Sequence, residues 1–104
     1  MTLDQNSGRI ITEAEAKTLI SAFKVKYPNE STSSFIGSNN VQNILQQEGC
    51  IGIRVYNGFD VVSQTISLVL VGVDAREKDM LAGGIIYDQM IKCPTYCPID
   101  GLGF

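Results

Sequence analysis

The chain has 104 residues, read as one domain long enough for a single real core without staples or metals. Hydrophobic residues make up 44% and charged residues 18%, which excludes wholesale disorder. The net charge is −3 with scattered basic residues, so neither nucleic acid nor an anionic membrane is an expected partner. Histidine is absent, which removes Ser–His and Cys–His nucleophile pairs and His-ligated zinc.

Residues 1–11 are polar until Ile10-Ile11 and are expected to be loose. They show no basic region followed by an apolar stretch, so no export signal is read and a cytoplasmic compartment is expected. A first helix begins at Thr12, with Glu15 at the capping-box spacing. Ala16, Leu19, Ile20, Phe23 and Tyr27 fall on one stripe, and Pro28 ends the helix. Glu13 pairs with Lys17, while Lys24 and Lys26 suit the negative end of the helix dipole, so these lysines need no ligand. Phe35-Ile36-Gly37 reads as a short extended piece. Ser38 is the expected cap of a second helix through Gln47, with Val41, Ile44 and Leu45 inward and Gly49 closing it.

From Cys50 the period changes to two: Ile51, Ile53 and Val55 alternate with Gly52, Arg54 and Tyr56. Thr65–Asp74 carries apolar side chains to both faces, the pattern of a strand covered on both sides. A hairpin of about 50–59 and 65–74 follows, looped at 60–64. The alternative turn at Asn57-Gly58 would leave the second run over-long. Ile85-Ile86-Tyr87 is a candidate further strand after Gly83-Gly84. Residues 88–104, with their prolines, glycines and cysteines, are expected to be an irregular tail. The fold class is therefore α+β: two N-terminal helices packed on a small antiparallel sheet centred on the hairpin, in a single domain over 1–104.

The run Gln47-Glu48-Gly49-Cys50-Ile51-Gly52-Ile53-Arg54-Val55-Tyr56, the run Leu68–Asp74 and the terminal Cys-Pro-x-x-Cys-Pro together resemble a group of short bacterial proteins. That resemblance spans about residues 47–98. It implies that the tail cysteines belong to the design, and brings no fold, substrate or partner with it.

Cys50, Cys93 and Cys97 admit four roles. All three can be structural, since Cys is commonly buried as a small hydrophobe. Cys93 and Cys97 can form a disulfide, worth about 2 kcal/mol or less for so small a loop. The three can hold a soft ion such as Zn²⁺ or Cu⁺, although no fourth ligand is evident. Or the tail pair can be a redox site, at a spacing one residue longer than C-x-x-C. The acidic run Asp74–Asp79 lacks the calcium-loop spacing. Asp60, Asp74 and Asp79 are candidate acids that nothing in the sequence brings together. Tyr56, Tyr87, Tyr96 and Phe104 either cover a sheet face or line a ligand groove. No catalytic residue and no cofactor is assigned.

Two short helices can roof only one side of the sheet, so the other needs either the Gly83–Phe104 tail folded back over it or a second copy of the chain. The expected function is thus a non-enzymatic, self-associating interaction module, with a homodimer as its simplest form, acting through a sheet face or edge. A thiol-based redox or metal-binding protein is the alternative.

Overall fold

A computed structural model describes residues 2–95, 97–98 and 101–102. The described residues form a mixed α+β structure with two helices and two antiparallel sheets. The chain divides into two compact units, each assembled from segments distant in sequence. One comprises Ile36–Met90 with the residues up to Ser7, and the other Gly8–Phe35 with the chain from Ile91 onward. Among the described residues no helix is long and apolar enough to cross a membrane.

The first unit is organised by a hairpin of β2 (Cys50–Asp60) and β3 (Thr65–Asp74). Here β1 denotes Ser33–Phe35, α1 Glu13–Lys26, α2 Ser38–Leu45, β4 Ile86–Tyr87 and β5 Ile91–Cys93. The hairpin register runs from Asp60 opposite Thr65 to Gly52 opposite Val73, with a bulge between Cys50 and Gly52. Asn57 and Gly58 lie inside the ladder, opposite Leu68 and Ser67, not at a turn. The loop is built on Asp60, whose Oδ1 accepts from the N–H groups of Val62 (2.9 Å) and Ser63 (3.3 Å). Gln64 takes the positive φ of 59° that reverses the chain. Gly58 has a local reason too: a Cβ there would stand 2.6 Å from the Ser67 carbonyl oxygen.

Paired residues share a face, so the register sorts the side chains. Ile53, Val55 and Phe59 share one face with Gly72, Leu70 and Ile66. Arg54 and Tyr56 share the other with Val71 and Val69. Helix α2 packs on the first of these faces, over the base of the hairpin. Contact is close because Gly72 has no side chain: a Cβ at that position would meet Ile44 Cγ2 at 3.3 Å, Cys50 Sγ at 3.1 Å and Gln47 Nε2 at 2.9 Å. Ile44 is fully buried, and Leu70, Val71 and Val73 complete the core of this unit.

The Asn and Gln residues of this poorly helix-forming segment have specific tasks. Asn43 Nδ2 donates to Tyr87 Oη at 3.1 Å, and Gln47 Oε1 accepts from the Ile85 N–H at 3.1 Å. Both bonds tie α2 to the chain around β4, which pairs with β3 through Tyr87–Leu70 and Ile86–Val71. Two expectations for α2 are corrected. The helix stops at Leu45, and its N-cap is Gly37 with no side-chain cap bond, so Ser38 is the first helical residue. Leu45, at the helix end, is half exposed instead of inward.

In the second unit, α1 starts as its capping box requires. The Glu15 N–H donates to Thr12 Oγ1 at 3.1 Å, and the Thr12 hydroxyl reaches Glu15 Oε1 at 3.2 Å. Lys17 lies 2.9 Å from Glu13 and, mainly by that hydrogen bond, holds the Glu13 carboxyl below its ordinary pKa. The expected apolar stripe is narrower than five residues: Ala16, Ile20 and Phe23 are half-buried, whereas Leu19 and Tyr27 are exposed. The remainder of the unit holds a two-stranded sheet. β1 pairs antiparallel with β5 in the register Ser33–Cys93, Ser34–Lys92 and Phe35–Ile91. The tail expected to be irregular over 88–104 therefore contains a strand, which ends where Pro94 removes the next donor.

Replacing Ile44 with Ala removes the side chain that fills the gap above Gly72. The expected loss is about 2–5 kcal/mol of unfolding free energy. Gly72→Val, which overfills the same gap, should cost about 1–3 kcal/mol. Urea unfolding with the m-value held constant measures both.

Candidate functional site

Three groups of side chains carry chemistry beyond packing. The first lies on the face of the hairpin opposite α2. Arg54 and Tyr56, two residues apart, both point there. Asp79 answers them, its Oδ1 accepting from Arg54 Nη1 and its Oδ2 from Tyr56 Oη. Asp79 is brought in by the turn after β3. Asp74 Oδ1 accepts from the N–H groups of Arg76 (2.9 Å) and Lys78 (3.1 Å), and Glu77 takes a φ of 67°. The chain then returns along β3, with Val73 bridged to Asp79 and the Met80 N–H donating to the Gly72 carbonyl at 2.9 Å. Side-chain exposures of 33% for Arg54 and 17% for Asp79 mean that water screens this pair only in part. The hydrogen bond from Arg54 to Asp79 raises the guanidinium above its ordinary pKa. Each carboxylate oxygen accepts one of these bonds, so the cluster clamps the turn to the sheet.

The other sequence-derived acids serve the backbone as well: Asp60 organises the hairpin loop and Asp74 the following turn. Of the aromatic candidates, Tyr56 and Tyr87 are hydrogen-bonded cover, while Tyr96 and Phe104 lie outside the described residues.

The second group is the cysteines. Cys50 is half-buried at the bulge, its Sγ 3.2 Å from the Gly52 carbonyl oxygen. Cys93 and Cys97 are joined by a disulfide, with their Cα atoms 4.7 Å apart. Their surroundings differ. Cys93 has no exposed surface, and Cys97 is exposed. Thr32 stands against Cys93: its N–H donates to the Cys93 carbonyl at 2.9 Å, and its hydroxyl lies 3.4 Å from the same carbonyl oxygen and 3.5 Å from Cys93 Sγ. Thr32 had no signal in the sequence, because its nearness to Cys93 arises from the pairing of β1 with β5. Among the described residues no group of three or more His, Cys, Asp or Glu side chains stands ready to hold a metal ion. Beside the disulfide runs an apolar groove of about 700 Å³, lined by Ser33, Ser34, Phe35, Ile91, Cys97 and Pro98.

The third group is apolar and exposed. Val55 and Phe59, on the α2 face of the hairpin but beyond the helix, are 53% and 56% exposed. Val61 and Val62, in the loop, are 73% and 91% exposed. β2 is an edge strand, since the three-stranded sheet runs β2-β3-β4.

Comparison with protein-family models, with curated proteins and with solved structures finds no match for the chain.

If the Asp79 clamp holds the turn to the sheet, Asp79→Asn should lower the Tm by roughly 4 °C or more. Tyr56→Phe, which keeps the ion pair, should cost less than half of that shift. Hydrogen exchange at the Met80 amide should quicken in Asp79→Asn and stay near wild type in Tyr56→Phe.

Proposed function

We propose that the protein is a non-enzymatic interaction module that self-associates as a two-fold dimer through β2. The observation that carries this is the exposed apolar pair Val55 and Phe59 on an edge strand. An antiparallel edge offers alternate N–H and C=O groups outward along its length. Devices that normally block pairing are scarce on β2. The strand holds no Lys or Pro; its one cation, Arg54, is occupied by Asp79; and its bulge lies at the base.

A second copy pairing antiparallel about Asn57 would set Val55 of each chain opposite Phe59 of the other, on one face. Two three-stranded sheets would then become one of six strands, and the two half-exposed apolar patches would join as cross-strand neighbours in one continuous patch, each shielding the flank of the other.

Size-exclusion chromatography with light scattering at high micromolar concentration should return twice the chain mass. Phe59→Lys is at an exposed position and should leave the fold intact. Because a two-fold interface feels each substitution twice, it should weaken association by roughly 2–3 kcal/mol, about a hundredfold in Kd. A wild-type monomer under these conditions, or a Phe59→Lys variant that dimerises as before, would overturn the proposal.

A further inference from the structure

The Cys93–Cys97 disulfide sits in an arrangement that a passive staple does not require. One sulfur belongs to a residue with no exposed surface and the other to an exposed one. Thiol–disulfide exchange is an in-line attack on one sulfur that expels the other as a thiolate. Cys97 is the exposed residue of the pair and Cys93 has no exposed surface, so attack at Cys97 Sγ with Cys93 Sγ leaving is the accessible direction. The Thr32 hydroxyl lies 3.4 Å from the Cys93 carbonyl oxygen and 3.5 Å from Cys93 Sγ, so its one proton can turn from the carbonyl to the thiolate as that charge forms. A leaving thiolate that is hydrogen-bonded departs faster.

The groove beside Cys97 indicates what would attack. Cys93 shares its face of the two-stranded sheet with Ser33, Phe35 and Ile91, while Ser34 and Lys92 point to the other side. Phe35 and Ile91 are directly opposite each other in the register and are 68% and 48% exposed. Among the described residues none that lines the groove is charged, and each strand of the two-stranded sheet keeps one edge unpaired within that sheet. An extended, uncharged polypeptide segment fits such a surface, with its apolar side chains on Phe35 and Ile91 and its backbone along a strand edge.

We propose that Cys93 and Cys97 form an exchange site that passes its disulfide to a dithiol carried on an extended apolar peptide segment. This is independent of self-association, which involves the other unit. The first substrate thiolate attacks Cys97 Sγ, forming a mixed disulfide. The Cys97–Cys93 bond breaks and its electron pair leaves on Cys93 Sγ. The second substrate thiolate attacks the first substrate sulfur, closing the substrate disulfide and releasing Cys97 as a thiolate. The two protons lost by the substrate thiols pass through water to Cys93 and Cys97. The substrate is oxidised by two electrons and the protein is reduced by two.

The test uses the oxidised full chain and two synthetic dithiol peptides, one with Phe and Leu beside its cysteines and one with Asp. Samples are quenched in acid and mapped by mass spectrometry. The adduct should lie on Cys97, and the apolar peptide should react at least tenfold faster than the acidic one. Phe35→Ala, at a well-exposed position, should abolish that preference. Thr32→Val should slow both peptides roughly tenfold, the worth of one hydrogen bond to a charged group, and Thr32→Ser should restore the rate. An adduct on Cys93, equal rates for the two peptides, or a bond that opens only when the chain unfolds would each overturn the proposal.

Discussion

The pairing of β2 with β3 is the constraint on which the first unit depends. Its register puts Gly72 and Leu70 under α2, and Arg54 and Tyr56 on the face that receives Asp79. A slip of one residue would exchange the two sets. Arg54 would then face Ile44 across a site with no carboxylate, and the gap that admits the helix would turn away from it. Burying an unpaired guanidinium costs several kcal/mol, so the two faces discriminate against the slipped register more strongly than propensity does. Gly52 and the bulge absorb the extra residue at the base, which lets Cys50 approach the helix without breaking the register above.

The same ladder is sheltered unevenly. At its base, Val71 and Val73 are almost wholly buried, with Ile44 over the opposite face. Towards the loop, β3 is only half-buried and its partners Val55, Tyr56 and Phe59 are exposed. An apolar run longer than the element covering it is not stabilised by its own chain along its whole length. Its persistence as regular strand relies on the Asp60-centred loop, which satisfies the backbone at the tip, and on the ladder itself. Rigid apolar side chains held on a satisfied backbone suit association, because little entropy remains to be lost when a partner arrives.

Local signals were legible in the sequence and distant ones were not. Thr12 and Glu15 marked the start of α1 because both capping partners lie within one turn. The alternation from Cys50 and the apolar run from Thr65 marked the two long strands, and run length alone chose the loop at 60–64 over Asn57-Gly58. The period of two also placed Arg54 and Tyr56 side by side, but Asp79 arrives only through a turn whose geometry depends on Asp74 and Glu77. The β1–β5 sheet was harder still. Ser33 and Cys93 are opposite each other across most of the chain, in strands too short and too mixed to show a pattern. The prolines that suggested an irregular tail begin only after Ile91-Lys92-Cys93, so the punctuation marked where β5 ends and concealed that it exists. At Ser38, a good capping residue was displaced by Gly37, whose extended backbone (φ −68°, ψ 150°) places Ser38 inside the first turn.

What the disulfide does for the second unit follows from its size. The loop from Cys93 to Cys97 is so short that closing it restricts the unfolded chain little, by about 2 kcal/mol or less. A two-stranded sheet of three residue pairs is also weak alone. The bond begins at the last residue of β5, and the ladder runs one step further through the Thr32 N–H to the Cys93 carbonyl. Bond, strand end and Thr32 thus form one small cooperative group. Opening the bond would place a thiolate, which must be solvated or hydrogen-bonded, at a position with no exposed surface. The Thr32 hydroxyl is the donor at hand, so the side chain that would ease the departure of Cys93 would also hold β5 in register afterwards.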